Sequence, residues 1–192
     1  ITLKIFGTVF AVSVIQIVLT GVSAVLLYKI AARCFTKRVG LSAAILFIFD
    51  PLGIFFAGSI LTETMSIFFL LLAIFFLIFF FHKRGGALLS GASLGASVAM
   101  RPISQLFFPL FLAEYFILAR QLKNWRASLT LLFFFFLGFS SFVTPWVIRN
   151  KLLFDTWGLS TAGISTFYRH NLHLHYAYKN NVSFREAEEV FR

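Results

Sequence analysis

Residues 64 to 81 run for eighteen positions without a charge, from Thr64 to Phe81. A stretch of that length and polarity matches the hydrocarbon thickness of a bilayer when helical, at roughly 20 residues per crossing. Its phenylalanine runs, Phe75 to Phe81 with an echo at Phe133 to Phe136, would argue for buried strands if short and isolated. Inside an uncharged run this long they read as lipid-facing helical bulk. Five further apolar segments, at about 5 to 28, 39 to 56, 86 to 100, 102 to 119 and 127 to 148, bring the total to six. With 59% hydrophobic and 12% charged residues and a mean hydropathy of +0.90, the 192-residue chain has more apolar surface than a soluble core needs. The expected fold is all-α: a polytopic transmembrane bundle of about six spanning helices over residues 1–150. A short extracytoplasmic segment, 151–192, follows.

The net charge of +10 would suggest nucleic acid in a soluble protein. Here it reports orientation, because loops on the cytoplasmic side retain Lys and Arg. The first, third and fifth connections carry Lys29, Arg33, Lys37, Arg38, Lys83, Arg84, Arg120, Lys123 and Arg126, and no acid. The alternate connections carry Asp50, Glu63 and Arg101. This asymmetry places Asp50, Glu63, Arg101, Arg149 and the C-terminal segment outside the cytoplasm and excludes a nucleic-acid partner. Arg101-Pro102 separates the fourth and fifth segments; proline disfavours helix at the preceding residue, so a turn is expected, with one kinked helix as the competing reading.

Few residues are candidates for chemistry. Glu63 stands at the mouth of the third segment, suited either to a metal, a hydroxyl or an ammonium, or to a plain first-turn acid with Thr62 as its cap. Arg101 suits a phosphate through bidentate hydrogen bonds, or snorkels at a helix end. Thr144-Pro145-Trp146 with Arg149 and Asn150 forms a membrane border, and Asp50-Pro51 a simple turn. His170, His173 and His175 have a spacing compatible with a divalent metal but lack acidic or cysteine partners. Glu114 reads as structural, within reach of Arg120. Cys34 is the single cysteine and excludes an internal disulfide. Ser183 and Glu186 have capping-box spacing. There is no Walker loop, no Gly-x-Ser-x-Gly and no His-Glu-x-x-His.

The ordered landmarks carry a resemblance. Gln16 to Arg33 followed by Phe35-Thr-Lys-Arg, then Pro51, Leu61-Thr62-Glu63, Gly91-Ala-Ser-Leu-Gly95 leading to Met100-Arg101-Pro102, and Pro145-Trp146-Val-Ile-Arg149-Asn150 resemble the multispanning lipid-linked sugar transferases. These include the protein O-mannosyltransferases, the aminoarabinose transferases of lipid A and their bacterial relatives. Leu159-Ser160-Thr161-Ala-Gly163 with Tyr168 and Asn171 is similar to the segment that follows in those relatives, so the likeness covers about residues 10 to 175.

The resemblance implies a GT-C type glycosyltransferase of the plasma membrane, bacterial inner membrane by its relatives. It would use a polyprenyl-phosphate-linked sugar and a lipid, glycan or protein acceptor at the outer face. Glu63 would act on the acceptor or metal side, and Arg101, with Arg149, Tyr168 and Asn171, on the substrate side. The principal catalytic carboxylate of that family lies in a loop ahead of the position where this chain begins, so a fragment is expected. A non-enzymatic transporter or assembly subunit is the alternative, with Gln16, Gln105 and Glu114 as its path. Polar landmarks gathered at one face, not at the midplane, favour the transferase.

Overall fold

The computed structural model describes residues 9–53, 62–121, 125–160, 172–180, 182, 183, 186 and 190. Each of the six apolar segments is helical within these residues, and no strand occurs among them. The helices are α1 (Val9–Cys34), α2 (Lys37–Ile48), α3 (Glu63–Phe80), α4 (Arg84–Met100), α5 (Phe108–Gln121) and α6 (Trp125–Phe154). A 3₁₀ helix, Pro102–Phe107, precedes α5, and a short α7 (His173–Asn180) lies near the end. Three of them, α1, α3 and α6, are long and apolar enough to cross a membrane, and Pro102–Ile117 is apolar but shorter. At 12 residues α2 covers only about 18 Å, well short of a crossing, and the remainder of its segment lies outside the described residues.

The ends of these helices follow from local chemistry. α1 continues beyond the expected boundary through Lys29 and Arg33 because no breaker precedes the cap of the next helix. Thr36 adopts an extended backbone and its hydroxyl accepts from the Val39 amide at 3.3 Å, which starts α2. Asp50 then accepts from the Gly53 amide at 2.7 Å, the simple turn that Asp-Pro announces. Between α4 and the 3₁₀ helix Arg101 is extended, at φ −139° and ψ 110°, so the proline breaks the helix and the single kinked helix is ruled out. α6 runs through Pro145 and past the expected end at 148, stopping at Asp155. That residue takes the left-handed φ of 54° and returns its amide to the Lys151 carbonyl.

Residues 1–146 and 147–192 form two compact units. In the first, α3 and α4 make an antiparallel hairpin, and α1 packs on both α2 and α3. The centre is α4: ten of its seventeen residues are buried, against four of eighteen in the far more apolar α3. Polarity and burial are inverted because lipid, not water, surrounds the bundle, and small residues allow close helix approach. Gly91 and Gly95 lie against the α6 backbone: a Cβ on Gly91 would meet the Phe135 carbonyl oxygen at 2.0 Å, and one on Gly138 would meet that of Leu88 at 2.1 Å. Phe135, fully buried, fills the space beside this crossing and stacks on Phe108 and Phe111 of α5. On the outside Ile17, Val18, Leu129 and Phe133 are exposed, a surface made for hydrocarbon.

In the second unit Asn150 donates through Nδ2 to the carbonyls of Gly158 and Leu159 at 2.9 and 3.2 Å, tying the post-helix loop to the end of α6. The capping box forms: the Ser183 amide donates to Glu186 Oε2 at 2.8 Å and the Glu186 amide to Ser183 Oγ at 3.3 Å. The Ser183 amide holds the Glu186 carboxyl below its ordinary value.

Two outcomes follow. Gly91→Val forces backbone apart and is expected to cost at least about 3 kcal/mol by thermal unfolding in micelles. Gly21→Ala, with nothing near its Cβ position, stays neutral or gains slightly. For the capping box, a depressed folded pKa means that its stabilisation is present above the ordinary glutamate value and is lost as pH falls through the lower folded value. An NMR titration of the Ser183 amide shift therefore moves with a midpoint below that of an unstructured glutamate. A midpoint at the ordinary value would show that the box does not form.

Candidate functional site

Because α3 and α4 are antiparallel, the first residue of α3 and the residue after α4 meet at one end of the hairpin. There Arg101 Nη1 lies 3.1 Å from Glu63 Oε1. The opposite end carries Lys83 and Arg84, so the pair stands at the far end from the basic connections. Glu63 is the more enclosed partner, its side chain 17% exposed against 45% for Arg101, which leaves the guanidinium with donors turned to the exterior. An ion pair with one half-exposed partner contributes at most about 1 kcal/mol, so it is not what holds the hairpin together.

A cluster of serines does more of that work. One turn beneath the pair, Ser66 Oγ of α3 lies 3.0 Å from Ser97 Oγ of α4 and 3.1 Å from Ser104 Oγ of the 3₁₀ helix. Ser97 Oγ lies 3.0 Å from Ser104 Oγ and donates to the Ser66 carbonyl at 2.9 Å. All three are buried. They join the three elements that carry Glu63 and Arg101, and Ser104 donates its amide to the Arg101 carbonyl at 3.0 Å, closing the turn. Deeper, Ser90 donates to the Ala73 carbonyl at 3.0 Å. Sequence reasoning passed over these serines. Their signal was the 90, 93, 97 spacing, which puts three small polar groups on one face of an apolar helix beside Gly91.

Thr62 does not cap α3. Its own backbone is helical, at φ −82° and ψ −7°, and makes no side-chain cap bond, so the hydroxyl is not swung back over the free amides. Thr64, buried beside Glu63, faces a cavity of about 30 Å³ shared with Thr20 and Ser23 of α1, large enough for one water. The Ser23 hydroxyl is buried there with no protein partner.

Arg149 belongs to the second unit, where Nη1 donates to Asn150 Oδ1 at 3.1 Å and the guanidinium lies over Phe154. Tyr168, Asn171 and His170 lie outside the described residues. His173 is buried and His175 exposed on α7, two positions apart and so on different faces of the helix; they do not form a joint metal site. Among the described residues no group of three His, Cys, Asp or Glu side chains comes together. Glu114 is exposed and lines an apolar groove, and the side chain of Arg120 lies outside the described residues.

The described residues thus form a helical membrane bundle with a charged pair at one end of the α3–α4 hairpin and basic residues at the other. Residues 1–148 of the 192 match the dolichyl-phosphate-mannose-protein mannosyltransferase family. The chain belongs to that family and is an integral membrane glycosyltransferase of the GT-C type, mannosyltransferase-like. No curated protein and no solved structure matches it.

The serine cluster yields a test of its own. Ser97→Val removes the central hydroxyl and leaves Ser66 and Ser104 buried without it, an expected loss of about 1–3 kcal/mol in thermal unfolding. Ser97→Thr keeps the hydroxyl and is expected to lose less. Equal stability of the valine variant and the parent would show that the cluster does not bind the three elements together.

Proposed function

We propose that the protein transfers a sugar from a polyprenyl-phosphate donor to a lipid, glycan or protein acceptor, at the face of the membrane opposite its basic connections. The observation that carries this reading is the Glu63–Arg101 pair at 3.1 Å, half open to the exterior and fixed from below by three buried serines. Family membership supplies the reaction class, and the pair supplies charges of the sign such a reaction needs.

In this reading Arg101 contacts the donor phosphate. Attack by the acceptor oxygen on the anomeric carbon forms the new glycosidic bond as the bond from that carbon to the phosphate oxygen breaks. The bonding electrons leave with the lipid phosphate. A guanidinium placed where that negative charge grows lowers the barrier. Glu63 holds Arg101 in place and, on the acceptor side, receives the proton from the attacking hydroxyl or amine. Arg149, Tyr168 and Asn171 are proposed as further substrate contacts. Residues 1–150 form the membrane core in this reading, and 151–192 an extracytoplasmic segment of a protein of the bacterial plasma membrane.

The test is transfer from a radiolabelled polyprenyl-phosphate sugar in membranes containing the full-length protein. Loss of a charge-assisted phosphate contact is worth about 1.5–3 kcal/mol, so Arg101→Ala is expected to lower donor use by about ten- to a hundredfold. Arg101→Lys, which keeps the charge but not the bidentate fork, recovers part of it. Glu63→Gln is expected to lower turnover more than protein level. Unchanged transfer in Arg101→Ala would sink its donor role, and parallel loss of level and activity in Glu63→Gln would make that residue purely structural.

A further inference from the structure

An apolar groove of about 470 Å³ runs between the second half of α3 and the 3₁₀ helix and first turns of α5. Ile74 and Ile78 from α3, Phe81 just after it, and Leu110 and Phe111 from α5 wall it, and Cys34 at the end of α1 also lines it. Phe81 and Cys34 lie at the ends of their helices, and cations stand close to each in the chain. Arg33 adjoins Cys34, with Lys37 and Arg38 in the first turn of α2, and Lys83 and Arg84 follow Phe81. All five are exposed, and neither connection contains an acid. A hydrocarbon slot whose lining residues at one end are neighboured in the chain by exposed cations is complementary to one kind of molecule, an amphiphile with an apolar chain and an anionic head.

We propose that this groove binds an anionic glycerophospholipid from the leaflet on the basic side, with an acyl chain in the slot and its phosphate held by Arg33, Lys83 and Arg84. The inference does not depend on the sugar-transfer reading, because neither Glu63 nor Arg101 lines the groove. Within a bilayer the chain itself discriminates little, since surrounding lipid tails are equally apolar. Selection therefore falls to the head, where each nearby Lys or Arg adds about 1 kcal/mol of attraction for an anionic lipid surface. Glu114 lines the groove and is the one acid to do so among the described residues. Its carboxylate opposes entry of a phosphate and keeps the head at the rim.

The experiment is native mass spectrometry of the intact chain released from mixed micelles holding equal amounts of phosphatidylglycerol and phosphatidylcholine. Phosphatidylglycerol is expected to be retained at least about fivefold over phosphatidylcholine, the factor that a single cation supplies. Lys83→Gln together with Arg84→Gln is expected to remove that preference. Arg126→Gln, on α6, which contributes no residue to the groove, is expected to leave it intact. Leu110→Trp, which fills the slot, is expected to abolish the retained lipid, and if that variant does not fold the rim variants decide alone. Equal retention of the two lipids, an equal effect of Arg126→Gln, or displacement of phosphatidylglycerol by equimolar polyprenyl phosphate would each overturn the proposal.

Discussion

Close approach of α4 to its neighbours is the constraint on which the rest of this bundle depends. Gly91, Gly95 and Gly138 bring the α4 and α6 backbones together, and at these positions a single added carbon would meet a carbonyl oxygen of the facing helix or, for Gly95, nearly so. In lipid there is no water to expel, so association has to come from packing and hydrogen bonds. A glycine and serine surface supplies both: contact without side-chain interference, and hydroxyls that reach a partner helix. This explains why the least hydrophobic of the long segments is the most buried.

The charged pair at the hairpin end is a consequence of that packing. With the α3–α4 hairpin set, Ser66, Ser97 and Ser104 interlock and the Arg101 turn is closed by the Ser104 amide. Glu63 and Arg101 then have little choice but to meet. Their mutual attraction is modest, because the guanidinium is half exposed, yet their position is well defined because the elements beneath them are. A site built this way has a rigid base and an open top, the arrangement that positions a charge without saturating it.

How much of this was legible from the sequence varies by residue. The helical segments, the break at Arg101-Pro102 and the capping box at Ser183 and Glu186 were all visible, because each rests on local rules of hydropathy, proline sterics or spacing. The alternative in which Thr62 caps α3 rested on residue type alone, and its helical backbone, which makes no side-chain cap bond, does not bear that alternative out. Glu63 and Arg101 could be placed at one face by charge asymmetry, but not at 3.1 Å. The serine cluster was overlooked because serine in an apolar helix is unremarkable until its partner is known. His173 and His175 looked like neighbours along the chain and turn out to lie on different faces of a short helix.

Sequence alone therefore determined that the chain is a helical membrane protein and roughly where its apolar segments lie, since hydropathy over about 20 residues is decided by composition, while the helix ends, as at Cys34 and Phe154, were set by local caps. It also carried the family likeness, because motif order survives without coordinates. Only the tertiary structure decided which helix is central, which polar groups are satisfied and which charges touch. Those outcomes depend on helix rotation and on backbone separations of a few ångströms, and neither quantity is written in any local run of residues.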